Sequence, residues 1–230
     1  TWHAEHLALP LRHGSARALR RRLPLVDVHR LPRASRRRLD LDRSIPWVEG
    51  WDLTRERPIW VPREAVTLDC VFPRGYQPVF DVSSNGLASG NHLLEAISHG
   101  LCEVIERDAE ARWRASRGQR RVALETVADP ACRGFLDRVG GAGVHVTIWD
   151  ITSDVGVAAY GCALMEDPRE PAWRSLGLYQ GFGCHLSPPV ALLRALTEAA
   201  QPRLTYIAGR RAAFFPADYA RATDQALLRD

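Results

Sequence analysis

Between Trp47 and Pro62 the chain reads WVEGWDLTRERPIWVP, in which tryptophan and valine alternate with polar residues around a turn near Arg55 to Pro58. This period of two predicts a β-hairpin. Glu64 to Phe80 continues as short strand-like pieces broken by Pro73, Gly75 and Pro78. From about Gly90 the period lengthens: Leu94, Ile97, Leu101, Val104 and Ile105 recur as on one side of a helix, which should fade near Gly118. Arg121 to Val127 reads as a link and Pro130 to Gly143 as an amphipathic helix closed by glycines. Strands are expected at Val144 to Thr152, Val155 to Met165 and Arg174 to Tyr179. GFGC then reads as a second glycine turn, leading through Ser187 as cap and Pro188 as first residue into another helix. Strands and helices alternate throughout without an internal repeat, which predicts an α+β (layered α/β) fold, mixed sheets with packed helices.

Composition narrows the class. With 230 residues, 46% hydrophobic and 25% charged, the chain can bury a real core. No apolar run approaches the ~18 residues that span a bilayer, and Thr1 to Leu9 is not a signal peptide. A cytoplasmic protein without a membrane partner is therefore expected. The net charge is +4, yet every basic residue is arginine, and the runs Arg17 to Pro24 and Arg33 to Arg38 lack interleaved aromatics. A solvated surface is expected there, with no nucleic-acid partner. Cys70, Cys102, Cys132, Cys162 and Cys184 are scattered without a C-x-x-C pair, which fits reduced thiols and gives a structural zinc site little support. Cys102 reads as a packing residue.

Candidate chemistry concentrates where glycine meets helix. Ser83, Ser84, Asn85, Gly86, Ser89, Gly90 and Asn91 resemble a phosphate-facing loop, because glycine lets backbone N–H groups converge and the following helix adds its positive end. At ~100° per residue, Glu106 falls roughly 20° from Glu95 and Glu103 roughly 80°, with His99 between them. A flank of carboxylates is either a wet helix face or, if buried, a place for a cation such as magnesium. In the later helix Arg194, Glu198 and Gln201 share a face, followed by Arg203. The flanking VALLRALTEAA is apolar enough to pack, so this face reads as a site wall rather than an exposed salt-bridged stripe.

The ordered motifs S-x-x-G-L-A-x-G, E-A, G-L-x-E-x-I-E-R-D and A-L-x-R-A-L-T-E-A-x-Q-x-R-L, with W-D-x-T-S-D between them, resemble the YcaO family over essentially the whole chain. SSNGLASGNH and GFGCHL look most like the branch that accompanies a TfuA-type partner. The resemblance implies a YcaO-like fold and ATP- and Mg-dependent O-phosphorylation of a peptide backbone amide. Thioamide or azoline formation would follow in a ribosomally made peptide or protein. It implies that Glu95, Glu103 and Glu106 hold magnesium, and that Ser84, Asn91, Glu198, Gln201, Arg203 and Arg211 contact ATP. The expected partners are a peptide or protein substrate and a TfuA-like protein, and a homodimer is allowed.

Three departures qualify this. TWHAEHL at the start resembles the end of a family helix bearing E-x-x-E, so residues 1–230 are expected to be one YcaO-like domain lacking an upstream nucleotide-binding segment. Pro202 interrupts the second motif, at a helix cost of ~3 kcal/mol, or marks the helix end. The family's G-x-R-D-D stands here as Gly209, Arg210, Arg211, Ala212, Ala213, without the acids. These departures motivate the alternative of a non-catalytic YcaO-like module that binds a precursor peptide or a partner protein.

Overall fold

The computed structural model describes residues 10–35, 38–68, 71, 73–116, 120–166 and 177–208. The chain divides into two compact units, Thr1–Leu87 and Ala88–Asp230. The first holds an antiparallel sheet in the order β1 (Leu11–Ser15), β2 (Ser44–Asp52), β3 (Arg57–Pro62), with a one-turn helix α1 (Ala16–Leu19) after β1. β2 and β3 form the expected hairpin, in register from Trp47 opposite Pro62 to Asp52 opposite Arg57. Its turn includes Glu56 at φ 50°. The sheet buries Trp47, Trp60, Ile45, Phe80 and Val28, and the Trp47 indole N–H donates to the Gly14 carbonyl at 3.0 Å.

Among the described residues, the stretch after the hairpin is not a run of strands. A 3₁₀ turn at Arg63–Val66 puts Glu64 into the interior, where its carboxylate accepts the Val79 and Phe80 N–H groups at 2.8 Å each and the Tyr76 hydroxyl. The interrupting prolines and Gly75 favour this irregular path over a ladder, and the buried acid supplies acceptors that a strand partner would otherwise give. Arg33 and Arg38, from one of the arginine runs, line a cavity of about 520 Å³ together with Arg43, Asp40, Pro78 and Val79.

The second unit opens with the 23-residue helix α2 (Leu93–Ala115). After it come β4 (Arg120–Arg121), α3 (Pro130–Gly141), β5 (Val144–Asp150), β6 (Ala159–Glu166), β7 (Tyr179–Cys184) and α4 (Pro188–Ala208). The strands form an antiparallel sheet in the order β4-β5-β6-β7. Side chains alternate across it. Ile148, Cys162 and Leu164 pack with Leu136 of α3 and Leu192, Ala195, Leu196 and Ala199 of α4. Trp149, Ala163, Phe182 and Cys184 pack on the other face with Cys102 and Ala109 of α2. The α+β layering read from the sequence is observed.

Of the strand expected at Arg174 to Tyr179, residues 174–176 lie outside the described residues, and β7 begins at Tyr179. GFGC is not a turn: Gly181 and Gly183 lie inside β7. A Cβ on Gly181 would stand 2.1 Å from the Ala199 nitrogen, and one on Gly183 would stand 2.2 Å from the Ala191 carbonyl oxygen. The two glycines and the fully buried Ala191, Ala195 and Ala199 let helix and strand backbones touch. Glycine here provides close approach rather than a bend.

Cys102, Cys132, Cys162 and Cys184 are free and buried, and burial pushes the Cys162 thiol up to about 12. Among the described residues, no helix is long and apolar enough to cross a membrane.

Candidate active site

The glycine-rich loop meets α2 through a tight local arrangement. Gly90 passes so close to the first helical turn that a Cβ would lie 2.6 Å from the Ala96 nitrogen. His92 caps the helix, its Nδ1 accepting the Glu95 N–H at 3.3 Å. The Glu95 carboxylate reaches back to accept the Asn91 backbone N–H at 2.7 Å and the Asn91 side-chain amide at 3.0 Å. Such reciprocal capping satisfies N–H groups that a helix start leaves open. Asn91 and Glu95 are thus brought together and exposed. Ser84 belongs to the first unit, where its carbonyl accepts the Leu87 N–H at 2.8 Å in a turn that Gly86 completes at φ 78°.

Further along α2 the setting changes, because the helix runs onto β7. Among the described residues this strand ends the sheet, and its N–H groups at Phe182 and Cys184 are turned to side chains rather than to another strand. Glu198 of α4 accepts from Phe182 and Glu106 of α2 accepts from Cys184, so one carboxylate from each face of the sheet covers the open edge. Glu106 is only 4% exposed. Burial first, and then the Glu198 charge, push its carboxyl up to about 7 against the attraction of Arg107 and Arg194. Glu198 is also raised, chiefly by burial. A buried and a half-buried carboxylate, neither in an ion pair with arginine among the described residues, form a ready seat for a cation.

Arginines frame the pair. Arg107 donates from Nη1 to Glu110 at 3.1 Å, while its Nε is buried with no hydrogen-bond partner among the described residues. Arg114 bridges Glu110 at 2.9 Å and Gln180 of β7 at 3.3 Å. Arg194, one turn before Glu198 on α4, donates from Nη2 to His99 Nε2 at 2.8 Å.

The expected residues therefore separate. At ~1.5 Å of rise per residue, Glu95 and Glu106 share a flank but stand roughly 16 Å apart along α2, too far to bind one ion. Among the described residues no three His, Cys, Asp or Glu side chains gather as a metal cluster. Glu103 is half-buried, between the exposed Glu95 and the buried Glu106. Gln201 is exposed. Arg203 does not turn to the β7 edge: it donates from Nη2 to Glu166 of β6 at 2.5 Å, and both side chains are largely buried. Pro202 does not end α4, which continues to Ala208. Arg211 lies outside the described residues. The side chains not singled out beforehand are Arg107, Glu110 and Gln180. Arg107 stands in the E-R-D motif itself, but only its tertiary setting shows its Nε to be unpaired.

A family profile described as "YcaO cyclodehydratase, ATP- and Mg2+-binding" matches residues 1–230. The chain belongs to the YcaO family. It is 37% identical over 219 residues to a protein in the tfuA 3' region of Rhizobium leguminosarum bv. trifolii, covering 90% of this chain and 50% of that one. A second relative, from Methanothermobacter thermautotrophicus, is 40% identical over 185 residues, covering 79% of this chain and 47% of that one. The chain thus spans about half the length of the curated relatives it matches. Among solved structures, a heterocyclase in complex with substrate and cofactor superposes with a TM-score of 0.76 at 23% identity, over 96% of this chain and 32% of that one. YcaO from Methanopyrus kandleri bound with AMPPCP and Mg2+ gives 0.60 at 22% identity, over 92% and 51%. At these identities the structures establish the YcaO fold.

Proposed function

We propose that this YcaO chain forms part of an ATP- and magnesium-dependent enzyme that activates a peptide backbone amide by O-phosphorylation, leading to a thioamide or an azoline. The observation that carries this reading is the meeting of the buried Glu106 with the half-buried Glu198 at the β7 edge, flanked by an Arg107 Nε that has no partner among the described residues. The donor set fits: hard oxygen ligands suit magnesium, and a buried unpaired guanidinium N–H suits a phosphate oxygen. ATP supplies the phosphoryl group that turns an amide oxygen into a good leaving group.

In this reading Glu106 and Glu198 would hold magnesium, both as ionised carboxylates. Arg107 and Arg194 would bind phosphate oxygens and orient them at the edge of the sheet. Glu103, Glu95 and Asn91 continue the same flank toward the glycine-rich loop, where Glu95 orders Asn91 and would hold a second ion or set that amide for the nucleotide. Such a site works by positioning and charge neutralisation, without a covalent role for the protein. Support for the substrate class comes from relatives of the same fold, one bound to substrate and cofactor and one described as a microcin synthetase complex with pro-MccB17 bound. The tfuA-region relative supports a TfuA-like partner.

The test is ATP hydrolysis by the full-length gene product with and without a peptide substrate. Glu106→Gln or Glu198→Gln should lower kcat by about 100-fold or more, as loss of a charge-stabilising group does. Unchanged turnover would remove the assignment. The second reading, a peptide- or partner-binding module, is favoured by the Arg203–Glu166 pairing, which takes a family arginine away from the edge. Calorimetry showing no magnesium-dependent ATP binding would leave only that module.

A further inference from the structure

We propose that His99 is a positioning residue: its neutral imidazole, protonated on Nδ1, sets the Arg194 guanidinium beside Glu106 and Glu198 and ties it to the glycine-rich loop. The inference rests on the ATP-site reading for its functional consequence, but its geometry stands on its own. A guanidinium carries only N–H donors. Arg194 Nη2 lies 2.8 Å from His99 Nε2, so Nε2 must be the acceptor. The ring proton is then on Nδ1, which points at the Ser89 carbonyl oxygen, 3.4 Å away. Each contact requires the same tautomer as the other.

One ring therefore joins two sequence motifs whose contacting residues, His99 and Arg194, are 95 positions apart. Ser89 belongs to the loop, His99 to the carboxylate flank of α2, and Arg194 to α4. Arg194 acts on both acids of the pair, favouring the ionised form of each. A long arginine side chain left without this acceptor would sample many rotamers. With it, one guanidinium N–H is committed to His99 and the positive charge stays where it acts on Glu106 and Glu198. A histidine protonated on Nε2 would turn the acceptor into a donor and lose the contact.

The experiment joins a spectroscopic and a kinetic arm on the full-length protein. Imidazole ¹⁵N shifts of His99 at pH 8 should show the Nδ1–H tautomer, and Arg194→Ala should shift the population toward the Nε2–H form common in free histidine. His99→Gln keeps an acceptor for Arg194, whereas His99→Leu removes it. The leucine variant should raise the KM for ATP about tenfold with kcat changed less, and glutamine should restore most of it. An Nε2–H tautomer in the wild-type protein overturns the proposal even if both variants prove unstable. Equal KM values for glutamine and leucine variants also overturn it. Wild-type protein that binds no ATP defeats the ATP-site reading instead, while the tautomer still decides the role of His99.

Discussion

Glu106 is the residue at which burial and chemistry conflict most. Its carboxyl is raised from 4.5 to about 7, mainly by burial and then by Glu198. The sign of the linkage follows. Below pH 4.5 the group is protonated folded or unfolded, and its favourable contribution is complete. As pH rises toward 7 the unfolded chain releases the proton while the folded one retains it, so stability falls across that window and levels off above it. Glu106→Gln keeps an acceptor for the Cys184 N–H and should remove this fall. In magnesium-free buffer it should stabilise the protein at pH 8 by up to ~3 kcal/mol and leave it unchanged near pH 4, read by urea denaturation. A variant less stable at pH 8 would show that the carboxylate is already compensated. Arg203 should behave in the opposite way. Arg203→Gln takes the guanidinium from the buried Glu166 and should cost about 3 kcal/mol, with ATP affinity little changed. A large loss of affinity without a loss of stability would return Arg203 to the nucleotide. At this scale the sequence made the acids visible through helical spacing. It could not tell Glu106 from Glu95, because spacing gives an angle on the helix and not what the helix leans on.

At the scale of elements, the contact between β7 and α4 decides where the site lies. The glycines of GFGC permit that contact, so adding a methyl group should be expensive. Gly181→Ala or Gly183→Ala should destabilise by at least ~3 kcal/mol, since the neighbours are backbone atoms that cannot move alone. Gly134→Ala on α3 is the control: nothing lies within 4 Å of the added methyl, and helix propensity predicts a gain of roughly 0.5–1 kcal/mol. Thermal or urea unfolding of the three variants checks the contrast, and equal effects would mean that the approach is looser than described. Most elements were legible. The hairpin, α2, α3, β5, β6 and the start of α4 at Pro188 follow from periodicity, prolines and caps. β7 runs on from Tyr179 through GFGC, which the sequence hides because two glycines in a short segment carry no alternation to read, and their local signature equals that of a turn. Pro202 was ambiguous for a similar reason. Its local cost predicts a break, while the packing of α4 against β6 and β7 carries the helix through.

For the molecule as a whole, the thiols offer a probe of cooperativity. Cys102, Cys132, Cys162 and Cys184 are buried, and burial raises Cys132 to about 11 and Cys162 and Cys184 to about 12. Native protein should therefore expose none of these four to a thiol reagent at pH 8, and all four should react together on unfolding. Fast labelling of any one, located by mass spectrometry of peptides, would mark local opening of the sheet. What the sequence by itself determined is the family, the α+β class, most elements and the stock of acids and arginines. These depend on local periodicity and on motifs that survive as strings of residues. Which groups face one another was decided only by the tertiary structure. Glu106 and Glu198 lie 92 positions apart by their numbers, on helices packed to opposite faces of one sheet, and they meet because β7, the last strand of that sheet among the described residues, offers them the Cys184 and Phe182 N–H groups. No local pattern encodes which strand will stand at the edge, so the pairing of the two acids is a property of the fold.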